Sequence, residues 1–508
     1  MQVSVLEYFE RGSLAACRHK VAVIDQGTKY TFEELERFAK NCAALIARRT
    51  EAVNQPVAVF LPKSVQTIVA DLGIVYSGNC YANLDIKSPP ERLKSILGNL
   101  GASLIITNAA SASPLRAIGI SDDQFLFVDD ALTSHSAYDE AALRLRTDRV
   151  IDTDPLCIIH TSGSTGRPKG VALSHRGTID FMDWVFERLS LDGREVIGSL
   201  SPFYFDIYTL ELYLCLAKGA TLVIIPDHTA TFPAKLLQFM AEHAVSFVFW
   251  VPTIMVNIAN QDLLVQQPLK SLTKVFFAGE VFPTKHLNYW RRHLPQATFV
   301  NLYGPIEINV DCTYFIVDRE MADDEKLPIG FPCRNTDVLI LNDQNQSAAV
   351  DEPGELCVRG SSLSLGYWNN PERTAQAFVQ NPLNPHYPEL IYRTGDLVYR
   401  NGRGEIMFTG RKDFQIKHLG YRIELGEIEH AVLQITGIRN CCVAYNAGKK
   451  EITLFFESEE EMTPAVIRER LLAFVPKYML PTVFTRMDAL PRNPNGKIDR
   501  QQLVSSLN

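Results

Sequence analysis

Between Thr161 and Gly170 the chain reads Thr-Ser-Gly-Ser-Thr-Gly-Arg-Pro-Lys-Gly, directly after the apolar run Leu156-Cys157-Ile158-Ile159. A strand that runs into a loop of glycines and small hydroxyl residues can turn tightly and aim several backbone N–H groups at one anion, so the stretch is expected to cradle phosphate. Pro168 separates Arg167 from Lys169, and Val171-Ala172-Leu173 reads as another strand. That excludes the Walker arrangement, in which Gly-Lys-Ser/Thr leads into a helix. Taken alone, the loop reads as readily as a hydrophilic hairpin with a solvated lysine.

A chain of 508 residues is too long for one hydrophobic core, and 46% apolar with 21% charged residues is ordinary for a globular protein, so two or more domains are expected. The net charge of -8 is spread along the chain without a basic run, and nucleic acid is not expected as a partner. Glu7 and Glu10 stand where the apolar part of an export signal would lie. The apolar run Ile68 to Leu84 is interrupted by Asp71, Gly73, Gly78 and Asn79. It reads as a buried helix and strand, not a membrane span. Ten cysteines without a C-x-x-C pair suit buried free thiols and a cytoplasmic location.

The first 150 residues alternate helix and strand patterns, with a helix from Phe32 that Thr31 can cap and strands at Val57–Leu61 and Leu104–Thr107. After the glycine loop the rhythm continues through strands at Val196–Leu200, Thr221–Ile225, Phe247–Val251 and Lys274–Ala278, with a helix from Asp206. Residues 328 to 410 change to short strands and turn signals such as Asp351-Glu352-Pro353-Gly354 and Asn401-Gly402-Arg403-Gly404. The acidic cluster Glu457 to Glu461 reads as a solvated turn. The fold class expected is therefore α/β: a large N-terminal domain (1–411) of parallel-rich sheets with helices plus a small β-rich subdomain, and a small α+β C-terminal domain (412–508).

Six motifs in order resemble the adenylate-forming superfamily, which holds nonribosomal-peptide adenylation domains, acyl-CoA synthetases and luciferases. They are Thr161 to Gly170; Ala278-Gly279-Glu280; Tyr303-Gly304-Pro305-Ile306-Glu307; Tyr392-Arg393-Thr394-Gly395-Asp396; Gly410 to Asp413 with Lys417 to Glu424; and Asn495-Gly496-Lys497-Ile498-Asp499-Arg500. The resemblance implies ATP and Mg²⁺ as cofactors and a C-terminal domain that turns about Asp413. Thr161, Ser162, Gly163, Ser164, Thr165, Gly166 and Lys169, with Gly279 and Glu280, are implied to meet ATP. Tyr303 is implied to stack on adenine, Asp396 to bind the ribose diol, Arg411 to reach the same nucleotide and Glu307 to hold Mg²⁺. Lys497 is implied to be catalytic, since one ammonium between a carboxylate and an α-phosphate offsets the charge gathering on the phosphoryl oxygens. Lys417 and Gly420 are implied to face a phosphopantetheine thiol in a second step.

The same resemblance carries the amino-acid pocket onto Asp206, Ile207, Leu210, Phe249, Phe276, Ala278, Leu302 and Val310, and less securely Asp311. Asp206 reads either as a helix N-cap or as the partner of a substrate α-amino group, which is costly to half-bury without a carboxylate. The remaining positions are apolar, and the set looks most like L-proline:carrier-protein ligases. Phe249 and Phe276 are expected to contact both faces of a proline ring. A D-alanine or other small apolar amino acid ligase, an acyl-CoA synthetase and a nucleotide-binding scaffold are the alternatives. Ile306 stands where the family usually has Thr, so one hydrogen bond to phosphate, worth on the order of 1 kcal/mol, is missing. No Gly-Gly-x-Ser carrier signature appears, and the acceptor thiol is expected from a separate carrier protein or from coenzyme A.

Overall fold

The strand that enters the glycine loop, Pro155–Thr161, lies in a six-stranded sheet ordered Phe125–Phe127, Ile105–Thr107, Pro56–Phe60, Cys80–Asn83, Pro155–Thr161, Lys169–Ser174. The first five strands pair in parallel. The computed structural model describes residues 2–134, 138–163, 168–460, 462–492 and 498–507. They fall into two units, one of residues 1–85, 101–159 and 171–412, the other of 86–100, 160–170 and 413–508.

In the first unit a nine-stranded sheet runs Phe331–Pro332, Thr313–Ile316, Thr298–Tyr303, Lys274–Phe277, Phe247–Trp250, Val196–Ser199, Thr221–Ile224, Val21–Asp25, Thr28–Thr31. It is parallel inside and antiparallel only at its edges. Its central strands are apolar along their length because both faces are covered. Phe249 lies opposite Phe276, and Phe276 opposite Val300. With side chains alternating, Phe247, Phe249, Phe276, Val300 and Leu302 enter one core with Ile207 and Leu210. Val248, Trp250, Val275, Phe277 and Phe299 enter a second core behind the sheet.

Local signals account for the helices that flank these strands. Phe32–Ala47 starts at a capping box in which Thr31 accepts from the Glu34 N–H and Glu34 accepts from the Thr31 N–H. Ile207–Lys218 is buried almost all round and stops at Gly219, whose φ of 77° suits a left-handed C-terminal cap. An antiparallel sheet of Thr336–Leu341, Gly354–Gly360, Leu390–Arg400, Phe378–Gln380 and Ile406–Arg411 completes this unit.

The second unit holds the helix Pro90–Leu100, the hairpin Gln415–His418/Tyr421–Glu424, the helix Leu425–Val432, and a sheet of Ile438–Asn446, Glu451–Ser458 and Val483–Arg486. Leu419 and Gly420, at φ 53° and 82°, form the two-residue tip that a hairpin of this length requires. The solvated turn expected at Glu457 to Glu461 holds for Glu459 and Glu460, an exposed bend, but not for Glu457, and Glu461 lies outside the described residues. Glu457 is the penultimate residue of a strand, is buried, and accepts from Asn440 Nδ2 at 2.6 Å and the Leu490 N–H at 2.7 Å. Side-chain and backbone donors supply what water would have supplied. All ten cysteines are free and all but Cys17 buried, and no described helix is long and apolar enough to cross a membrane.

Candidate active site

Where Thr298–Tyr303 ends, the chain turns through Gly304-Pro305 into a short 3-10 helix, Ile306–Ile308. A Cβ on Gly304 would lie 2.5 Å from Asp311 Cα, so only glycine admits the returning backbone. That return puts Asn309 and Val310 at φ 58° and 64°, a conformation uncommon for any side chain and strained for a β-branched one.

At this turn the Tyr303 hydroxyl donates to Asp396 Oδ2, while the Arg411 guanidinium donates to Asp396 Oδ1 and, at 3.1 Å, to the Thr394 carbonyl. Burial, followed by the Asp396 charge, pushes the Tyr303 phenol well above its ordinary value and keeps it a donor. Three residues expected at the adenosine end are thus in direct contact. Glu280, half-buried after Gly279 at φ 89°, accepts from the Thr253 N–H at 2.9 Å and the Thr253 hydroxyl at 2.5 Å.

Glu307 is fully buried, and Tyr367 Oη donates to its Oε1 at 2.9 Å. No described cluster of three or more His, Cys, Asp or Glu offers to hold a metal ion. A lone carboxylate nonetheless fits Mg²⁺, which commonly takes one or two protein oxygens and fills its octahedron from phosphates and water. Ile306 is buried in the main core. The side chain that lacks the expected hydroxyl contributes packing in its place.

In the second unit, Ser162 Oγ donates to the Arg422 carbonyl at 2.7 Å, and the Gly163 N–H donates to Glu427 Oε2 at 3.1 Å. Glu427 also forms a buried ion pair with Arg92. Burial raises the Glu427 carboxyl, and Arg92 and the Gly163 N–H draw it back. Thr161 is half-buried, and Lys169 is buried and not solvated. Ser164, Thr165, Gly166 and Lys497 lie outside the described residues. Asp413 is exposed and accepts from the Gln415 N–H at 3.2 Å; Lys417 is exposed beside the Leu419-Gly420 tip.

At the amino-acid end, Ile207, Leu210, Phe249, Phe276, Ala278, Leu302 and Val310 share one core. Asp206 is half-buried at the N-cap position of Ile207–Lys218, yet its side chain makes no capping hydrogen bond. Asp311 is buried beside Val310. The aromatic pair departs from expectation. Phe249 and Phe276 are neighbours on adjacent strands, ring centroids 6.4 Å apart at 74°, and both point to one face. Side-by-side strands make them a floor, not the two walls of a slot.

Tyr367, Arg92 and Glu427 carried no motif of their own and were not singled out from the sequence. Asp71 did leave a signal, as a carboxylate interrupting an apolar run.

Tyr303, Asp396 and Arg411 thus meet beside the turn that follows Thr298–Tyr303, and the apolar residues expected for an amino-acid pocket share one core. The chain belongs to the AMP-binding enzyme family, whose pattern matches residues 10–368, and it is an adenylation domain of the nonribosomal-peptide type. It is 30% identical to zwittermicin A synthase ZmaJ of Bacillus cereus over 493 residues, covering 96% of this chain and 92% of that protein. It is also 30% identical to tyrocidine synthase 1 of Brevibacillus parabrevis over 98% of this chain, of which it spans only 45%. The structure of the Vibrio cholerae adenylation domain AlmE in complex with glycyl-adenosine-5'-phosphate shares the fold, with a TM-score of 0.84, 23% identity, and coverage of 100% of this chain and 98% of that one. Adenylate-forming enzymes use ATP and Mg²⁺.

Proposed function

We propose that this chain activates an amino acid, with L-proline preferred, as aminoacyl-AMP and passes it to the phosphopantetheine thiol of a separate carrier protein. In the first step a substrate carboxylate oxygen bonds to the α-phosphorus of ATP, the bond to the bridging β-phosphate oxygen breaks, and pyrophosphate leaves. In the second the thiol, having lost its proton to solvent, bonds to the carbonyl carbon and AMP departs. Tyr303, Asp396 and Arg411 hold the nucleoside by stacking and hydrogen bonding. Glu307 is the ligand proposed for Mg²⁺, which when bound neutralises phosphate charge. Lys497 offsets charge in the first step, an assignment resting on its motif alone.

The observation that carries the amino-acid reading is Asp206, half-buried at the start of the helix whose next residue, Ile207, belongs to the same apolar core as Phe249 and Phe276. A carboxylate so placed is suited to a substrate ammonium, and the protonated proline nitrogen offers two N–H donors to it. The floor of Phe249 and Phe276, with Leu210 and Leu302 beside it, favours a short apolar side chain. Each methylene missing from such a site is worth about 1–3 kcal/mol, which disfavours alanine.

ATP/pyrophosphate exchange across a full amino-acid panel tests this. L-Proline is expected to be fastest and D-alanine poor. Faster exchange with a polar or large aromatic amino acid overturns the substrate, and tight ATP binding without exchange on any carboxylic acid favours the scaffold alternative.

A further inference from the structure

The apolar helix Val65–Tyr76 carries one acidic side chain, Asp71, which is 1% exposed. A carboxyl group in such surroundings is costly unless hydrogen-bonded. Its Oδ2 accepts from Asn83 Nδ2 at 3.0 Å and from the Tyr208 hydroxyl at 2.9 Å. Burial pushes the carboxyl up to about 8 against these two hydrogen bonds.

Both donors lead to the segment that carries Asp206. Asn83 Nδ2 donates also to the Phe203 carbonyl at 3.2 Å. Tyr208 is the second residue of the helix that Asp206 opens, and its ring stacks on that of Phe203, centroids 4.1 Å apart at 18°. One carboxyl oxygen therefore ties both ends of the turn 203–208. Packing alone does not demand this, since an aliphatic side chain at position 71 fills the space without burying a carboxyl. A polar network of this kind fixes orientation, and Asp206 lies within the bracketed turn, at the start of the helix that carries Tyr208.

We propose that Asp71, through Asn83 and Tyr208, is a positioning residue that aims Asp206 at the substrate amine and so sets discrimination for amine-bearing acids. The inference rests on the reading of Asp206 given above.

The test uses the full chain and two probes, prolyl-sulfamoyl-adenosine and its counterpart with CH₂ in place of the ring nitrogen. Their Kd ratio is measured by calorimetry alongside KM and kcat for proline and KM for ATP in exchange. Tyr208→Phe, which keeps the ring and removes the hydroxyl, is expected to cut the Kd ratio about tenfold and raise KM for proline by a similar factor, with KM for ATP within about twofold. Asp71→Leu is expected to do the same, while Asp71→Asn, which keeps an acceptor, restores most of the ratio. Should Asp71→Leu fail to fold, Tyr208→Phe decides. Equal weakening of both probes by Tyr208→Phe, or no change in either, overturns the proposal. Asp206→Ala separates the two readings. If it leaves the ratio intact, the assignment of Asp206 is wrong and the inference goes with it; if it abolishes the ratio while Tyr208→Phe does not, only the bracket is wrong.

Discussion

Around the end of the strand Thr298–Tyr303 two kinds of construction meet. On the side proposed for the nucleotide, polar side chains close on one another: Arg411 meets Asp396 across a strand pair, while Tyr303 reaches Asp396 and Tyr367 reaches Glu307 from distant segments. On the side proposed for the amino acid, apolar residues drawn from three adjacent strands and a helix are locked by packing into one core. The first kind suits a ligand that every member of the family shares. The second suits a variable ligand, because changing an apolar contact by a methylene alters preference by about 1–3 kcal/mol without disturbing the chemistry.

The largest effects that separate the two sides are kinetic. Lys497→Ala is expected to lower adenylation by about a thousandfold, the scale of losing a charge-stabilising group, while leaving transfer from supplied aminoacyl-adenylate to a carrier thiol largely intact. Measuring the half-reactions separately decides this, and equal loss of both removes the assigned role. Asp206→Ala is expected to cost about 3 kcal/mol or more with every amino acid, since it leaves a substrate ammonium unpaired, and to spare KM for ATP. A parallel rise in both KM values would erase the distinction between the sides.

An intermediate effect concerns pH. Glu211, on the helix that Asp206 opens, is buried, accepts from Ser199 Oγ at 2.5 Å, and is raised by burial from 4.5 to about 8. The folded state then holds a proton that the unfolded chain has released between those values, so this group makes stability fall as pH rises through the window. Thermal unfolding is expected to show a declining Tm across it, with a shallower decline in Glu211→Gln. An identical decline in both proteins would place its origin elsewhere.

The smallest effect tests the nucleotide side. Ile306 is buried in the core, so Ile306→Thr exchanges packing for a hydroxyl. Pyrophosphate exchange is expected to change by no more than about tenfold, the kinetic equivalent of one modest hydrogen bond. A larger gain would mean that the wild-type turn is impaired in phosphate binding.

Much of this was legible in the chain because it depends on near neighbours. Thr31 and Glu34 announced a capping box, the apolar runs announced buried strands, and Gly304 and Gly420 stand where the backbone admits little else. Glu457 misled because its acidic neighbours suggested solvent, whereas its donors come from Asn440 and Leu490.

Short-range sequence determined the αβ rhythm, the order of motifs and the family, since each rests on turn chemistry, periodicity or a few contiguous residues. Only the tertiary structure decided that Phe249 and Phe276 form a floor, because strand register is a relation between distant segments. It alone joined Asp71 to Tyr208 across 137 positions and Tyr303 to Asp396 across 93. A buried polar group takes whatever donor the packed chain brings within reach, and which one that is follows from sheet order and helix placement, not from its neighbours in sequence.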